Sequence, residues 1–349
     1  MTYLLNSYRL FHYLIGKNGI YDVPKSIKGG VKNLQHEIFN VEWNNGTKWF
    51  VKQPFCLHPS EFFNIVNEAK IAQRINEIPA LRGCSPEYIH YNPVHKILIT
   101  GYLSEYVTFR EQSRTRIAEL LLSRNLPEKM AFLTANCHLH LTGSVKSSTE
   151  YIPLYYFKPS FLTNNLALIN PLLDGHTDSI IDKKWLSSLF FQPGVRETIF
   201  ELNSLWKTNS IIHGDASSDN ILIKLKNTDE VIVQLCDWEF AGWGDADWDC
   251  ACFFQELIIA YMDMHINHSM LIDAGRRYYQ AYTEVYNNSD FVVFSKWFTR
   301  VLRLAAVGIL EKMLAKLMKP DKDIDKNIPD LAEFLVNSVL INPHILKSF

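Results

Sequence analysis

The stretch from Ile211 to Asp249 restricts this chain more than any other. Ile211-Ile212 leads into His213-Gly214-Asp215-Ala216-Ser217-Ser218-Asp219-Asn220, and the apolar run Ile221-Leu222-Ile223 follows at once. A second apolar run, Val231 to Leu235, ends at Cys236-Asp237-Trp238-Glu239, with Gly244-Asp245-Ala246-Asp247-Trp248-Asp249 beyond it. Short apolar runs bounded by turn residues read as strands. Pairing these two, through a turn at Asn227-Thr228-Asp229, puts Asp215 and Asn220 on one loop and Asp237 at the exit of the partner strand. Taken singly, each is an ordinary turn or strand-end residue. As an ordered set among apolar strands they are costly to keep without a task. The arrangement suits phosphoryl transfer, in which one carboxylate orients a hydroxyl while another, with an amide, holds a divalent cation on phosphates.

The chain ahead of this stretch reads mostly as strands with one helix. Apolar-rich runs from Gln35 to Gln53 flank Asn44-Asn45-Gly46, a strong hairpin signal. Glu61 to Ile75 carries Phe62, Phe63, Ile65, Val66, Ala69, Ala72 and Ile75 at helical spacing, and Tyr88 to Tyr91 with Lys96 to Tyr102 reads as another strand pair. Helices are expected over Arg116 to Ser123, Lys129 to Leu141, Asp249 to Met264, Met270 to Tyr286 and Phe294 to Met318. Leu154 to Trp206, broken by Pro159, Pro171 and Pro193, reads as mixed. A sheet-rich lobe (1–103) followed by a helix-rich lobe (104–349) is an α+β layout with a cleft for ligand.

With 349 residues, 47% of them hydrophobic, the chain can bury a large core. A formal net charge of −2 argues against a general nucleic-acid binder. The six cysteines, Cys56, Cys84, Cys137, Cys236, Cys250 and Cys252, form no zinc pattern and read as reduced thiols of a cytoplasmic protein. The first residues do not read as a signal peptide, and no apolar run approaches the ~20 residues of a membrane span.

His213-Gly214-Asp215-x-x-x-x-Asn220, then Asp237-Trp238-Glu239, then Gly244-Asp245-x-x-x-Asp249-x-Ala251 resembles the signature of the aminoglycoside phosphotransferase and choline kinase superfamily, which has the protein-kinase-like fold. The likeness is close from Ile211 to Ala251, looser in the first hundred residues and absent from the C-terminal third. It implies that Asp215 is the catalytic base, and that Asn220 and Asp237 hold magnesium with Glu239 assisting at a second ion. It also implies that Asp249 accepts backbone hydrogen bonds from the catalytic loop, while His213 braces that loop. Asp245 reads as the N-cap of the following helix. The resemblance calls for a strand lysine on the nucleotide phosphates held by a helix glutamate; Lys52 and Glu68 stand in that order. Leu103-Ser104-Glu105-Tyr106 would then be the hinge, with Glu105 and Tyr106 at the adenine edge.

Two features depart from the family pattern. Phe50 precedes Lys52 on the same strand face, where protein kinases keep an alanine, so it should stack on or crowd the purine. Gly29-Gly30-Val31-Lys32-Asn33 is only a loose analogue of a phosphate loop and reads equally as a turn. His138 and His140, two apart on a helix, point to different faces and do not read as a metal pair; their segment resembles the family helix that packs beneath the catalytic loop. Tyr278, Tyr279, Tyr282, Trp297, Arg300 and Arg303 read as core and solvated face rather than an acceptor pocket.

Three functions stay open: an ATP- or GTP-dependent kinase of a small-molecule hydroxyl, a kinase of a peptide serine or threonine, and a nucleotide-binding pseudokinase. The full set of Lys52, Glu68, Asp215, Asn220 and Asp237 weighs against the third. The acceptor and the oligomeric state are not encoded in any motif.

Overall fold

The computed structural model describes residues 6–17, 23–29, 36–54, 59–123, 125–147, 154–163, 183–226, 230–286, 293–317 and 328–342. Cys56, most of the glycine stretch (Gly30 to Asn33) and the turn at Asn227-Thr228-Asp229 lie outside them, as does 164–182 of the mixed region.

β2 (His36–Trp43) and β3 (Lys48–Pro54) form the hairpin expected at Asn44-Asn45-Gly46. Gly46 takes φ +85° there, a conformation glycine adopts without strain. With β1 (Pro24–Gly29), β4 (Tyr88–Asn92) and β5 (Ile97–Gly101) they make an antiparallel sheet in the order β1-β2-β3-β5-β4. Across it Phe39 pairs with Val51 and Val51 with Ile99, whereas Ile38 pairs with Lys52 and Lys52 with Leu98. Side chains alternate along a strand, so these two sets face opposite sides. Leu10 and Leu14 of α1 (Ser7–Lys17) cover the Val51 face, against Phe39, Val41, Ile97 and Ile99. Ile65 and Ala69 of α2 (Pro59–Glu77) pack on Leu98 on the other.

α1 corrects the expectation of one helix in the first hundred residues. Its apolar Tyr8 and Ile15 are exposed and blur the helical period; contact with the sheet selects Leu10 and Leu14 as the inner face.

The second lobe is mainly helical. α3 (Phe109–Ser123), α4 (Leu126–Ser147), α5 (Lys183–Phe190), α6 (Pro193–Ser204) and α7 (Ala246–Met262) come first. α8 (His268–Tyr286), α9 (Phe294–Leu317) and α10 (Ile328–Phe334) follow, with a π-helical turn (Leu335–Ile341). Their apolar faces share one core. α3 starts earlier than expected, and the expected start at Arg116 is instead its break, where φ is −139° and ψ 17°. Two small sheets are set into these helices. One orders β10 (Val231–Leu235), β9 (Ile221–Leu225) and β6 (Val107–Thr108); the other orders β7 (Tyr155–Tyr156), β11 (Gly242–Gly244) and β8 (Ser210–Ile212). An antiparallel lobe followed by a helical one is the α+β layout read from the sequence. Among the described residues no helix is long and apolar enough to cross a membrane.

Candidate active site

The loop between β8 and β9 is held from below by Asp249 of α7. Its Oδ2 accepts the His213 N–H at 2.7 Å, and its Oδ1 accepts that of Gly214 at 3.0 Å. His138 Nε2 lies 2.9 Å from the same carboxylate, with His138 Nδ1 2.8 Å from the Tyr282 hydroxyl. Burial pushes the Asp249 pKa up, but the His138 bond and the backbone N–H donors outweigh it and hold the carboxyl below its ordinary value. Gly214 sits at φ +84°, and a Cβ there would come within 2.6 Å of the Phe240 carbonyl oxygen, so only glycine fits. His213 Nε2 lies 2.9 Å from the Cys236 carbonyl, and its Nδ1 accepts the Asp215 N–H at 3.3 Å. These two bonds tie the loop to the end of β10 and back onto itself. Asp245 caps α7 by accepting the Asp247 N–H at 3.2 Å, and also accepts from Lys207 N at 2.8 Å and Arg300 Nη2 at 2.6 Å.

Above this scaffold the charged residues converge. Asn220 Nδ2 donates to the Asp215 carbonyl at 2.9 Å and to its Oδ2 at 3.0 Å. Lys52 Nζ lies 2.8 Å from Glu68 Oε2, 2.5 Å from Asp237 Oδ1 and 3.4 Å from Glu239 Oε2. Burial works against the Lys52 charge, yet these carboxylates outweigh it and hold its pKa well above the usual value. Burial pushes Glu68 up to about 7 and raises Glu239 as well. For Asp237, burial is overcome by Lys52, and its pKa is lowered. Asp237 itself occupies the left-handed region, φ +65°, a strained position that over-determined functional residues tolerate. Asn67 of α2, which sequence reasoning passed over, ties the two lobes by donating to the Glu239 and Ala241 carbonyls at 3.1 and 2.8 Å. An asparagine inside an otherwise amphipathic helix was the available signal.

A cavity of about 270 Å³ lies over this cluster, lined by Phe50 and Lys52 from β3, Leu103 and Tyr106 from the expected hinge, and Asn220 and Asp237 from below. Phe50 therefore shares the cavity face with Lys52, as strand alternation required. Glu105 does not line the cavity: its carboxylate, mostly exposed, pairs with Lys224. The Tyr106 N–H bonds the Leu103 carbonyl at 3.1 Å, and this turn keeps Leu103 and Tyr106 inside while Glu105 faces out.

The donors suit a hard divalent cation. Carboxylate oxygens of Glu68, Asp237 and Glu239 lie within 4.8 Å of one another. With its Nδ2 spent on Asp215, Asn220 keeps its amide oxygen for a cation, and Asp237 keeps the oxygen that does not face Lys52. Magnesium needs few such ligands beside phosphate oxygens, so the set fits it.

Asp215 also borders a second cavity, of about 310 Å³, whose wall includes Phe157, Lys158, Glu311 and Lys312. Glu311 and Lys312 were not read from the sequence, because on α9 they resemble any solvated helix face. Tyr278, Tyr282 and Trp297 are buried in the helical core, Arg300 pairs with Asp245 and Asp247, and Arg303 pairs with Glu201. Cys84, Cys137, Cys236, Cys250 and Cys252 carry free thiols.

Residues 181–287 match the model of the phosphotransferase enzyme family. The resemblance read from the motif holds. No curated protein matches the chain by sequence. Among solved structures, the fold is similar to a choline/ethanolamine kinase family protein from Mesorhizobium loti, with 17% identity, 92% of this chain and 90% of that one covered, and a TM-score of 0.55. It is also similar to choline kinase LicA from Streptococcus pneumoniae, at 14% identity over 95% and 99% of the two chains with a TM-score of 0.56. The GDP and kanamycin complex of APH(2")-IIia matches with 14% identity over 95% and 97% and a TM-score of 0.56. The kinase-like phosphotransferase fold thus extends over nearly the whole chain, including the C-terminal third where no motif could be read.

Proposed function

We propose that this chain is a cytoplasmic kinase that moves the γ-phosphoryl group of ATP or GTP to a hydroxyl of a small molecule. Residues 1–103 form its nucleotide-binding lobe and 104–349 its catalytic and acceptor-binding lobe. The observation that carries this reading is the position of Asp215: its carboxylate borders the second cavity beside α9 and accepts a hydrogen bond from Asn220, which lines the cavity over Lys52 and Asp237.

Nucleotide would enter the first cavity with its base against Phe50 and the hinge at Leu103 and Tyr106. Lys52, already drawn toward Asp237 and Glu68, would meet the phosphates there. Asp237 and the Asn220 amide oxygen would hold magnesium, with Glu239 nearby, and the ion when bound neutralises phosphate charge. Asp215 orients the acceptor hydroxyl and takes its proton, while Asn220 fixes the carboxylate through Oδ2. Asp249 and His213 keep the loop from relaxing, so the geometry exists before substrate arrives.

A cavity of about 310 Å³ beside the base suits a small molecule. Asp215→Asn tests the reading: with nucleotide binding retained by calorimetry, loss of transfer supports it, and normal transfer overturns the assignment of the base.

A further inference from the structure

Three charged side chains border the second cavity in addition to Asp215. Glu311 is used internally: its Oε1 accepts the Ser160 N–H at 3.3 Å. Lys158 Nζ donates to the Asn203 carbonyl at 3.2 Å and lies 5.9 Å over the Trp206 ring. Lys312 Nζ stands 3.7 Å from Asp215 Oδ1 and 3.1 Å from Gln255 Oε1. An ammonium has three donors, and that of Lys312 lies at the rim, about half exposed, beside the oxygen that receives the acceptor.

We infer that Lys312 sets the choice of acceptor: the cavity takes a compound with an acyl oxygen, carboxylate or carbonyl, beside its reacting hydroxyl, and disfavours an alkylammonium. This rests on the phosphotransferase reading above. Two hydrogen bonds of ~2.8 Å, hydroxyl to Asp215 and acyl oxygen to Lys312, bridge a 3.7 Å span when the two oxygens are neighbours on a short carbon chain. A cationic acceptor would instead meet the ammonium groups of Lys158 and Lys312, while Asp215 is already engaged by Lys312 and Asn220 and Glu311 by Ser160. In the transfer the hydroxyl proton goes to Asp215, the hydroxyl oxygen bonds phosphorus, and the bond from phosphorus to the bridging oxygen breaks. Its electron pair leaves with the nucleoside diphosphate. Lys312 gains and loses no bond; it positions the acceptor.

The test is a transfer assay with labelled ATP and GTP against glycerate and N-acetylserine amide (acyl oxygen present), glycerol (absent), and choline and kanamycin (cationic). It compares the wild type with Lys312→Met and Lys312→Arg. Transfer to the acyl compounds is expected, falling about tenfold or more in kcat/KM in Lys312→Met and largely kept in Lys312→Arg. The nucleotide KM should stay unchanged in both. A larger loss for glycerate assigns the contact to a carboxylate, and equal losses assign it to a carbonyl. Preference for choline or kanamycin, or acyl-compound kinetics untouched in Lys312→Met, overturns the inference. So does nucleotide hydrolysis with transfer to none of the five compounds, which leaves the phosphotransfer reading standing. Failure to bind nucleotide in calorimetry sinks that reading, and the inference with it.

Discussion

On the nucleotide side of Asp215, Lys52 draws Glu68, Asp237 and Glu239 together in a mostly buried cluster. On the acceptor side, Lys312 stands about half exposed, 3.7 Å from the same carboxylate, on a helix far along the chain. The first arrangement hangs on one cation: remove Lys52 and three carboxylates are left uncompensated in a poorly solvated place. The second is open to solvent, so its members can change without threatening the fold. The difference fits a protein whose donor and chemistry are constrained while its acceptor side is free to vary.

The largest expected effect falls where the two sides meet. Asp215→Asn should lower transfer by roughly 10³-fold while leaving nucleotide affinity in place, measured by steady-state transfer and calorimetry; a loss in affinity instead would make Asp215 part of the donor side. Next, Lys52→Met should cost about 10²-fold in kcat and weaken nucleotide binding. An effect on acceptor KM alone would erase the distinction between the two sides.

Asp249→Asn tests the scaffold beneath both, and should cost about 3 kcal/mol in chemical unfolding at neutral pH. The folded pKa of Asp249 lies below its ordinary value of 3.8. Its stabilisation is therefore complete above that value and fades as pH falls through the folded pKa. Unfolding curves of wild type and variant should converge in acid, and a constant gap would mean that charge is not what Asp249 contributes. The smallest change is expected for Phe50→Ala: a shift of a few-fold in nucleotide KM, by loss of one stacking face, with the acceptor KM unmoved. Comparing ATP and GTP in that variant would sharpen what Phe50 selects.

Much of the donor side was legible because its residues obey local rules. Alternation on β3 put Phe50 and Lys52 on one face, and the Asn-Gly turn fixed the hairpin that carries them. Asp245 announced a helix start and caps one. What escaped depended on contacts between distant segments. α1 is recognisable only once the sheet gives Leu10 and Leu14 something to cover. Glu105 belonged to the expected hinge, but a single turn sends its side chain to Lys224. Asn67 gains its meaning from carbonyls that lie in the other lobe.

By itself the sequence determined the loop from His213 to Asn220, the pairing of the strands around it and the carboxylates that end them. Hydrophobic periodicity and turn chemistry act over a few residues, and the motif is local. Only the tertiary structure decided that Lys52 and Glu68 reach Asp237, that Asp249 and His138 lock the loop from below, and that Lys312 stands beside Asp215 on the wall of a second cavity. Those placements follow from how helices and sheet bury their apolar faces against each other, a property of the whole packed chain that no local pattern encodes.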